Sequence, residues 1–165
     1  MGVSGCGKST LGGLLARTLG CAFLEGDDFH SPEAIAKMRG GEALTDEDRW
    51  PWLDRLGQAA VRSIAQQGAA VVACSALRRC YRDRLRAMIE WPVQLIQLEN
   101  SRERLVERLA ARPDHFMPVS LLDSQLAALE RPGAEEPALT LFTEVPPARL
   151  QDLVLRRLEA VPLKA

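Results

Sequence analysis

The segment that most restricts the fold of this chain lies at its beginning, where residues 2–9 read GVSGCGKS. This is the spacing G-x-x-x-x-G-K-[ST], in which glycines let backbone N–H groups converge on phosphate oxygens. Lys8 would neutralise phosphate charge, and the Ser9 hydroxyl would bind Mg²⁺. The leucines that follow have helical spacing, and Gly20 is placed to end that helix. A phosphate-binding loop is therefore favoured over a glycine-rich tail.

Composition restricts the class of partner. With 165 residues, 47% of them hydrophobic, the chain can bury one core, so we expect a single domain over residues 1–165. A formal net charge of −1 argues against nucleic acid or an anionic membrane as a partner. The four cysteines lack the spacing of a disulfide scaffold or zinc site, and the sequence indicates neither a membrane span nor a signal peptide. We expect a cytoplasmic protein that acts on small molecules.

Short apolar segments alternate with amphipathic ones, which predicts an α/β fold with a parallel sheet and helices on both faces. The predicted strands are 22–25, 69–74, 93–98 and 139–143. Ser31 is a predicted N-cap, and Thr45 with Asp48 forms a predicted capping box for a helix that runs to about Gln67. Further helices are predicted at 79–89, 102–111, 118–129 and 148–160.

The strand that should precede the phosphate-binding loop is missing from the sequence. Such a loop is aimed by a buried parallel strand that ends at its first glycine, yet only Met1 stands before Gly2. Either the given chain begins downstream of the true start, or the sheet has a gap that leaves backbone groups of its neighbours unpaired. The cost of such a gap favours the first interpretation.

Polar residues follow two of the predicted strands, where parallel sheets bind their ligands. The first strand is followed by Glu25, Asp27, Asp28 and His30. One carboxylate there is a candidate to accept a hydroxyl proton, and another to hold Mg²⁺ through water. The alternative is an acidic turn that caps the next helix, which fits Asp28 better than Asp27.

Basic residues form two further groups. Donors suited to a polyhydroxy or carboxylate substrate follow the second strand: Ser75, Arg78, Tyr81 and Arg82. A solvated basic helix face is the alternative for this group. Arg108 and Arg112 are four residues apart on one predicted helix face, a spacing that suits contacts with adenine and with a transferred phosphoryl group. A surface salt-bridge stripe is the alternative for this pair.

Taken in order, these segments resemble the bacterial gluconokinase family over nearly the whole chain. The resemblance is carried by residues 2–9, by GDDFH at 26–30, by GEALTDEDR at 41–49 with PWL at 51–53, by CSALR at 74–78 with YR at 81–82, and by HF at 115–116. It implies a P-loop NTPase fold like that of the nucleoside monophosphate kinases, with its first strand missing here, and a homodimer. It also implies ATP-dependent phosphorylation of D-gluconate to 6-phospho-D-gluconate, and a mobile lid at about 112–130.

The resemblance also implies roles for individual residues. ATP would be bound by Gly2, Val3, Ser4, Gly5, Cys6, Gly7, Lys8, Ser9 and Thr10, with Arg108 against adenine. Lys8, Asp27 and Arg112 would be catalytic. Gluconate would be bound by Asp27, His30, Arg49, Ser75, Arg78, Tyr81, Arg82 and His115. Ser9 would bind Mg²⁺, with Glu25 as a second contact through water, although Glu25 stands where the family often has aspartate.

Two other functions stay open at this point. One is a related kinase that phosphorylates shikimate or a nucleoside monophosphate. The other is a non-catalytic nucleotide-binding regulator, against which the combination of Asp27 and Arg112 argues.

Overall fold

The computed structural model of the chain describes residues 1–111 and 118–160. Its strands are all parallel: β1 (Ala22–Glu25), β2 (Ala70–Ala73), β3 (Leu95–Glu99) and β4 (Ala138–Phe142). The helices are α1 (Lys8–Leu19), α2 (Pro32–Arg39), α3 (Asp46–Gln67), α4 (Arg79–Met88), α5 (Arg102–Ala110), α6 (Leu122–Ala128) and α7 (Pro147–Ala160). Two 3₁₀ turns lie at Gly26–Phe29 and Val119–Leu121. The α/β fold predicted from the sequence is confirmed.

Helix ends follow the capping residues of the sequence. The Ser31 side chain accepts the N–H of Ala34 at the start of α2, and Thr45 and Asp48 form the capping box of α3. Gly20 ends α1 in a left-handed conformation, as predicted. The segment predicted as one helix at 118–129 begins instead with the 3₁₀ turn, a tighter geometry that is common at helix starts.

The helices cover both faces of the sheet. Side chains alternate along a strand, so neighbouring residues of β2 point to opposite faces. Val71 packs in the core that contains α1, α5 and α7, whereas Val72 packs in the core that contains α3 and α4. The loops that carry the polar residues follow the carboxyl ends of the strands.

The sheet consists of two halves within the described residues. β1 pairs with β2 and β3 pairs with β4, but no strand joins β2 to β3. Met1 and Gly2 run between the halves: the N–H of Leu98 donates to Met1 O at 2.9 Å, and the N–H of Gly2 donates to Ser75 O at 3.1 Å. A gap between the halves, which the sequence analysis gave as the less favoured alternative, is therefore present within the described residues. A strand upstream of Gly2 stays a prediction.

Candidate active site

The loop at residues 2–7 leads directly into α1. Gly7 is the N-cap of the helix with φ of 99°, a left-handed conformation that favours glycine. The Lys8 ammonium lies 3.0 Å from Val3 O and folds back over the loop. The Cys6 side chain is fully buried in the core, so its thiol points away from the surface on which a phosphate would bind. This geometry is that of a phosphate-binding loop.

Arg108 extends from α5 towards one end of this loop. Its guanidinium lies 3.4 Å from Gly5 O and donates to Thr143 O at 2.9 Å, which links α5 to the segment after β4. A side chain at Gly7 would contact the same guanidinium. Arg108 thus lies beside the loop that holds phosphates, and its contact with adenine stays a prediction.

Asp27 lies in the 3₁₀ turn that follows β1, and it lines a pocket together with Lys8. The preceding Gly26 passes so close to the Ala73 carbonyl that a Cβ atom would collide with it. The indole N–H of Trp52 donates to Gly26 O at 2.7 Å and fixes the turn from α3. Glycine and tryptophan together therefore hold Asp27 next to the phosphate-binding loop.

His30 ends this turn as part of an aromatic stack. Its ring lies 4.3 Å from that of Trp52, nearly parallel at 13°. Burial lowers the pKa of His30 to about 4, against a smaller opposing effect of Asp27. The imidazole is therefore neutral at pH 7, and it contributes an apolar wall to the pocket.

A second group of polar residues lies at the starts of α3 and α4, and two of them, Arg49 and Tyr81, line the pocket. Asp46, the first residue of α3, accepts hydrogen bonds from Arg78 at 2.9 and 3.1 Å and from the Tyr81 hydroxyl at 2.5 Å. Arg49 lies 3.2 Å from the same hydroxyl. Burial and the bond to Asp46 raise the pKa of Tyr81 to about 12, so its hydroxyl stays protonated. We call these four residues the Asp46 cluster.

The segment between β2 and α4 presents Ser75 and Arg78. Ser75 lines the pocket. The next residue, Ala76, has φ of 42°, a left-handed conformation that costs a non-glycine residue roughly 1 kcal/mol or more. A turn of this kind persists only where the surroundings hold it.

Arg82 supplies that support. Its side chain is not among those that line the pocket with Lys8 and Asp27, and its contact with substrate stays a prediction. Its guanidinium is buried and binds both carboxylate oxygens of Glu136 at 2.6 Å. It also lies 3.0 to 3.2 Å from the carbonyls of Ala76, Leu77 and Glu130. With its donors engaged in the protein, Arg82 positions the turn at Ala76; a substrate contact would require this arrangement to open. We call Arg82, Arg86 and Glu136 the Glu136 cluster.

The segment around α6 also contributes to the pocket. Leu121, Ser124 and Gln125 line it together with Asp27. Gln125 Oε1 accepts the backbone N–H of Ser4 at 2.7 Å, so α6 contacts the phosphate-binding loop directly. The predicted catalytic Arg112 and the predicted substrate residue His115 lie outside the described residues.

The predicted metal residues lie on two consecutive elements of the fold. Ser9 is in the first turn of α1, and Glu25 is the last residue of β1. Within residues 1–111 and 118–160, no three acidic, histidine or cysteine side chains form a metal-binding group. In the same ranges, no helix has both the length and the apolar character to cross a membrane.

Comparison with known proteins agrees with this geometry. A family model described as an AAA domain matches residues 1–132. The gluconokinase of Gluconobacter oxydans is 42% identical over 160 residues, which cover 97% of this chain and 89% of that protein. This chain belongs to the gluconokinase family. The predicted P-loop kinase fold and the family resemblance are both confirmed.

Solved structures extend the comparison of this gluconokinase-family chain. A gluconokinase from Sinorhizobium meliloti matches with a TM-score of 0.82 and 43% identity, covering 96% of this chain and 90% of that one. A sugar kinase from Janibacter matches with a TM-score of 0.88 and 44% identity, covering 98% and 93%. The whole fold is therefore shared with kinases that act on small molecules.

Three residues near the pocket received no role from the sequence: Asp46, Trp52 and Gln125. Asp46 could have been found by charge, because three predicted donors, Arg49, Arg78 and Tyr81, require an acceptor when no substrate is bound. Trp52 and Gln125 each bond a backbone atom that is distant in sequence. No local pattern indicates such contacts.

Proposed function

We propose that this chain transfers the terminal phosphoryl group of ATP to the 6-hydroxyl of D-gluconate, yielding 6-phospho-D-gluconate and ADP. The observation that carries the proposal is one pocket lined by two kinds of residue. Ser4 and Lys8 of the phosphate-binding loop line it together with Arg49 and Tyr81, and Asp27 lines the same space. A phosphate donor and a hydroxy acid would meet there. The gluconokinases to which this chain is similar support gluconate as the acid.

Each side chain has a part in the proposed reaction. The Asp27 carboxylate accepts the proton of the 6-hydroxyl as its oxygen attacks the terminal phosphorus, and the bond from that phosphorus to the bridging oxygen of ADP breaks. Lys8 stabilises the negative charge on the phosphoryl oxygens. Arg49 and Arg78 bind the carboxylate of gluconate, with Tyr81 and Ser75 as hydroxyl partners.

Mg²⁺ belongs to the proposed reaction as a ligand of ATP. The Ser9 hydroxyl is an oxygen donor of the kind that this hard cation prefers, and the phosphates would complete its coordination. When bound, the ion would neutralise charge on the terminal phosphates. Glu25 is proposed as a contact through water.

The remaining predictions complete the proposal. We propose that residues 1–165 form one kinase domain, with the lid at about 112–130 closing over the pocket, and that Arg112 and His115 act from this lid. We also propose a cytoplasmic homodimer. The cysteines are free, which supports a reducing compartment. Light scattering after size-exclusion chromatography tests the dimer.

The deciding experiment is a coupled assay of ATP-dependent 6-phosphogluconate formation, with shikimate and AMP as competing acceptors. We expect turnover with gluconate and none with the other two. Asp27→Asn should lower kcat by a factor of about 10² or more while the Kd of ATP stays within about twofold. Phosphorylation of shikimate or AMP in place of gluconate, or ATP binding without turnover on any acceptor, would overturn the proposal.

A further inference from the structure

Helix α6 contacts the phosphate-binding loop through one side chain. Ser4 and Gln125 are 121 residues apart in sequence, yet the Ser4 N–H donates to Gln125 Oε1 at 2.7 Å. Both residues line the pocket that also contains Lys8 and Asp27. The Gln125 amide thus lies at the place where a phosphoryl group would pass from the loop to its acceptor.

Different residues of the loop have different neighbours. Gly5 and Gly7 lie beside Arg108, the residue that we expect to contact the base of the nucleotide. Ser4 lines the pocket with Asp27 and Gln125, where the acceptor would bind. A nucleotide whose base lies against Arg108 would therefore direct its last phosphate towards Ser4 and Gln125.

We propose that Gln125 binds the terminal phosphate of a nucleoside triphosphate and thereby distinguishes it from a diphosphate. This inference rests on the proposed function, because it requires a nucleotide on the loop. An arriving phosphate oxygen takes the Ser4 N–H that Gln125 Oε1 now accepts. The side-chain amide also carries two N–H donors, so after rotation it donates to that same oxygen.

The Gln125 amide can form a hydrogen bond both with and without a terminal phosphate, because it has an acceptor oxygen and a donor nitrogen. Without a terminal phosphate its oxygen satisfies a backbone N–H at the pocket wall, and with one its nitrogen satisfies a phosphate oxygen. A diphosphate leaves the contact between Ser4 and Gln125 intact. Binding of triphosphate is thereby linked to α6, a helix that lines the pocket.

The test uses Gln125→Glu, which keeps the size and the acceptor but replaces the donor by a negative charge. We measure the Kd of ADP and of the β,γ-imido analogue of ATP by calorimetry, without gluconate. The variant should lose about tenfold or more in affinity for the analogue, because its carboxylate repels the terminal phosphate, while the Kd of ADP stays within about twofold. Gln151→Glu is the matched control, since Gln151 binds Leu14 O and the Thr18 hydroxyl.

A second variant keeps the inference testable if Gln125→Glu does not fold. Gln125→Met removes the hydrogen bonds without adding charge, and it should reduce the preference for the analogue over ADP by about two- to tenfold. Equal losses for both nucleotides, or no loss for either, would overturn the inference. Absence of gluconate phosphorylation in the wild-type protein, with the nucleotide preference still dependent on Gln125, would overturn the proposed function alone.

Discussion

Two ion clusters flank α4, and they use the same residue types for different purposes. In the Glu136 cluster, the Arg82 and Glu136 side chains are each 1% exposed. In the Asp46 cluster, Arg78 is 41% exposed and Asp46 is 32% exposed, and the other two members, Arg49 and Tyr81, line the pocket. Arg78 and Arg82 stand four residues apart, so their spacing in the sequence does not distinguish their roles. The two side chains differ in burial.

The difference teaches which charges can be exchanged for those of a ligand. A buried pair cannot release one partner without leaving the other uncompensated, so the Glu136 cluster is fixed. A partly exposed group can exchange its carboxylate for that of a substrate at a small cost. The Glu136 cluster holds the turn at Ala76, between Ser75, which lines the pocket, and Arg78, which binds Asp46.

The largest expected effect comes from Glu136→Ala. This change leaves the Arg82 guanidinium buried without its carboxylate and should lower the free energy of unfolding by about 3–5 kcal/mol, measured by urea denaturation. Glu135→Ala is the matched control. Its side chain is 59% exposed, so a loss below about 1 kcal/mol is expected. Equal losses for the two variants would show that burial of the Arg82–Glu136 pair does not increase its contribution to stability.

Arg78→Met should affect the binding of gluconate and leave the stability of the fold nearly unchanged. The KM for gluconate should rise about ten- to a hundredfold, because a charge-assisted hydrogen bond to the substrate carboxylate is lost. Unfolding free energy should change by less than about 1 kcal/mol. Arg79→Met serves as control, since Arg79 pairs with Asp83 and Glu135 outside the pocket. An unchanged KM in Arg78→Met would contradict the proposal that the Asp46 cluster binds the carboxylate of gluconate.

His30 predicts a dependence of stability on pH. Its pKa is about 4 in the folded chain, below the ordinary value of about 6.5, so between these values the unfolded chain binds a proton that the folded chain does not. The free energy of unfolding therefore falls by about 3 kcal/mol as the pH drops through this window. His30→Gln should lack this part of the slope in denaturation series from pH 7 to pH 4. Parallel slopes for the two proteins would contradict the low pKa.

The smallest effect is expected for Thr45→Ala, which removes the capping box beside Asp46. Loss of the cap should cost about 1 kcal/mol of stability, and a frayed start of α3 should raise the KM for gluconate slightly. Ser31→Ala removes the N-cap of α2 at a similar stability cost but should leave the KM unchanged. A KM change of equal size in both variants would mean that stability alone governs it.

The sequence predicted the parts of the molecule that depend on local chemistry. The strand at 22–25 is confirmed without a shift, and the caps at Ser31, Thr45 and Gly20 lie where their side chains or backbone freedom require them. The phosphate-binding loop belongs to the same class, because eight consecutive residues specify it. Local patterns of this kind do not depend on the rest of the fold.

The side-chain partners across the fold could not be predicted in the same way. Arg82 and Arg78 have the same type and neighbouring positions, and only the location of Glu136, 54 residues further on, shows that one is buried. The Gln125 contact with Ser4 likewise depends on how α6 is placed over the loop. Such partners are set by tertiary packing, which a single sequence does not display.

The stack of His30 on Trp52 gives the protein an optical reporter of its own. The chain has three tryptophans; Trp52 lines the pocket, Trp50 contacts Tyr81 edge-on, and Trp91 is largely exposed. A ligand that enters the pocket changes the surroundings of the first two and leaves the third as a reference. Indole emission can therefore follow occupancy of the pocket directly, with no dye attached and no catalytic turnover required.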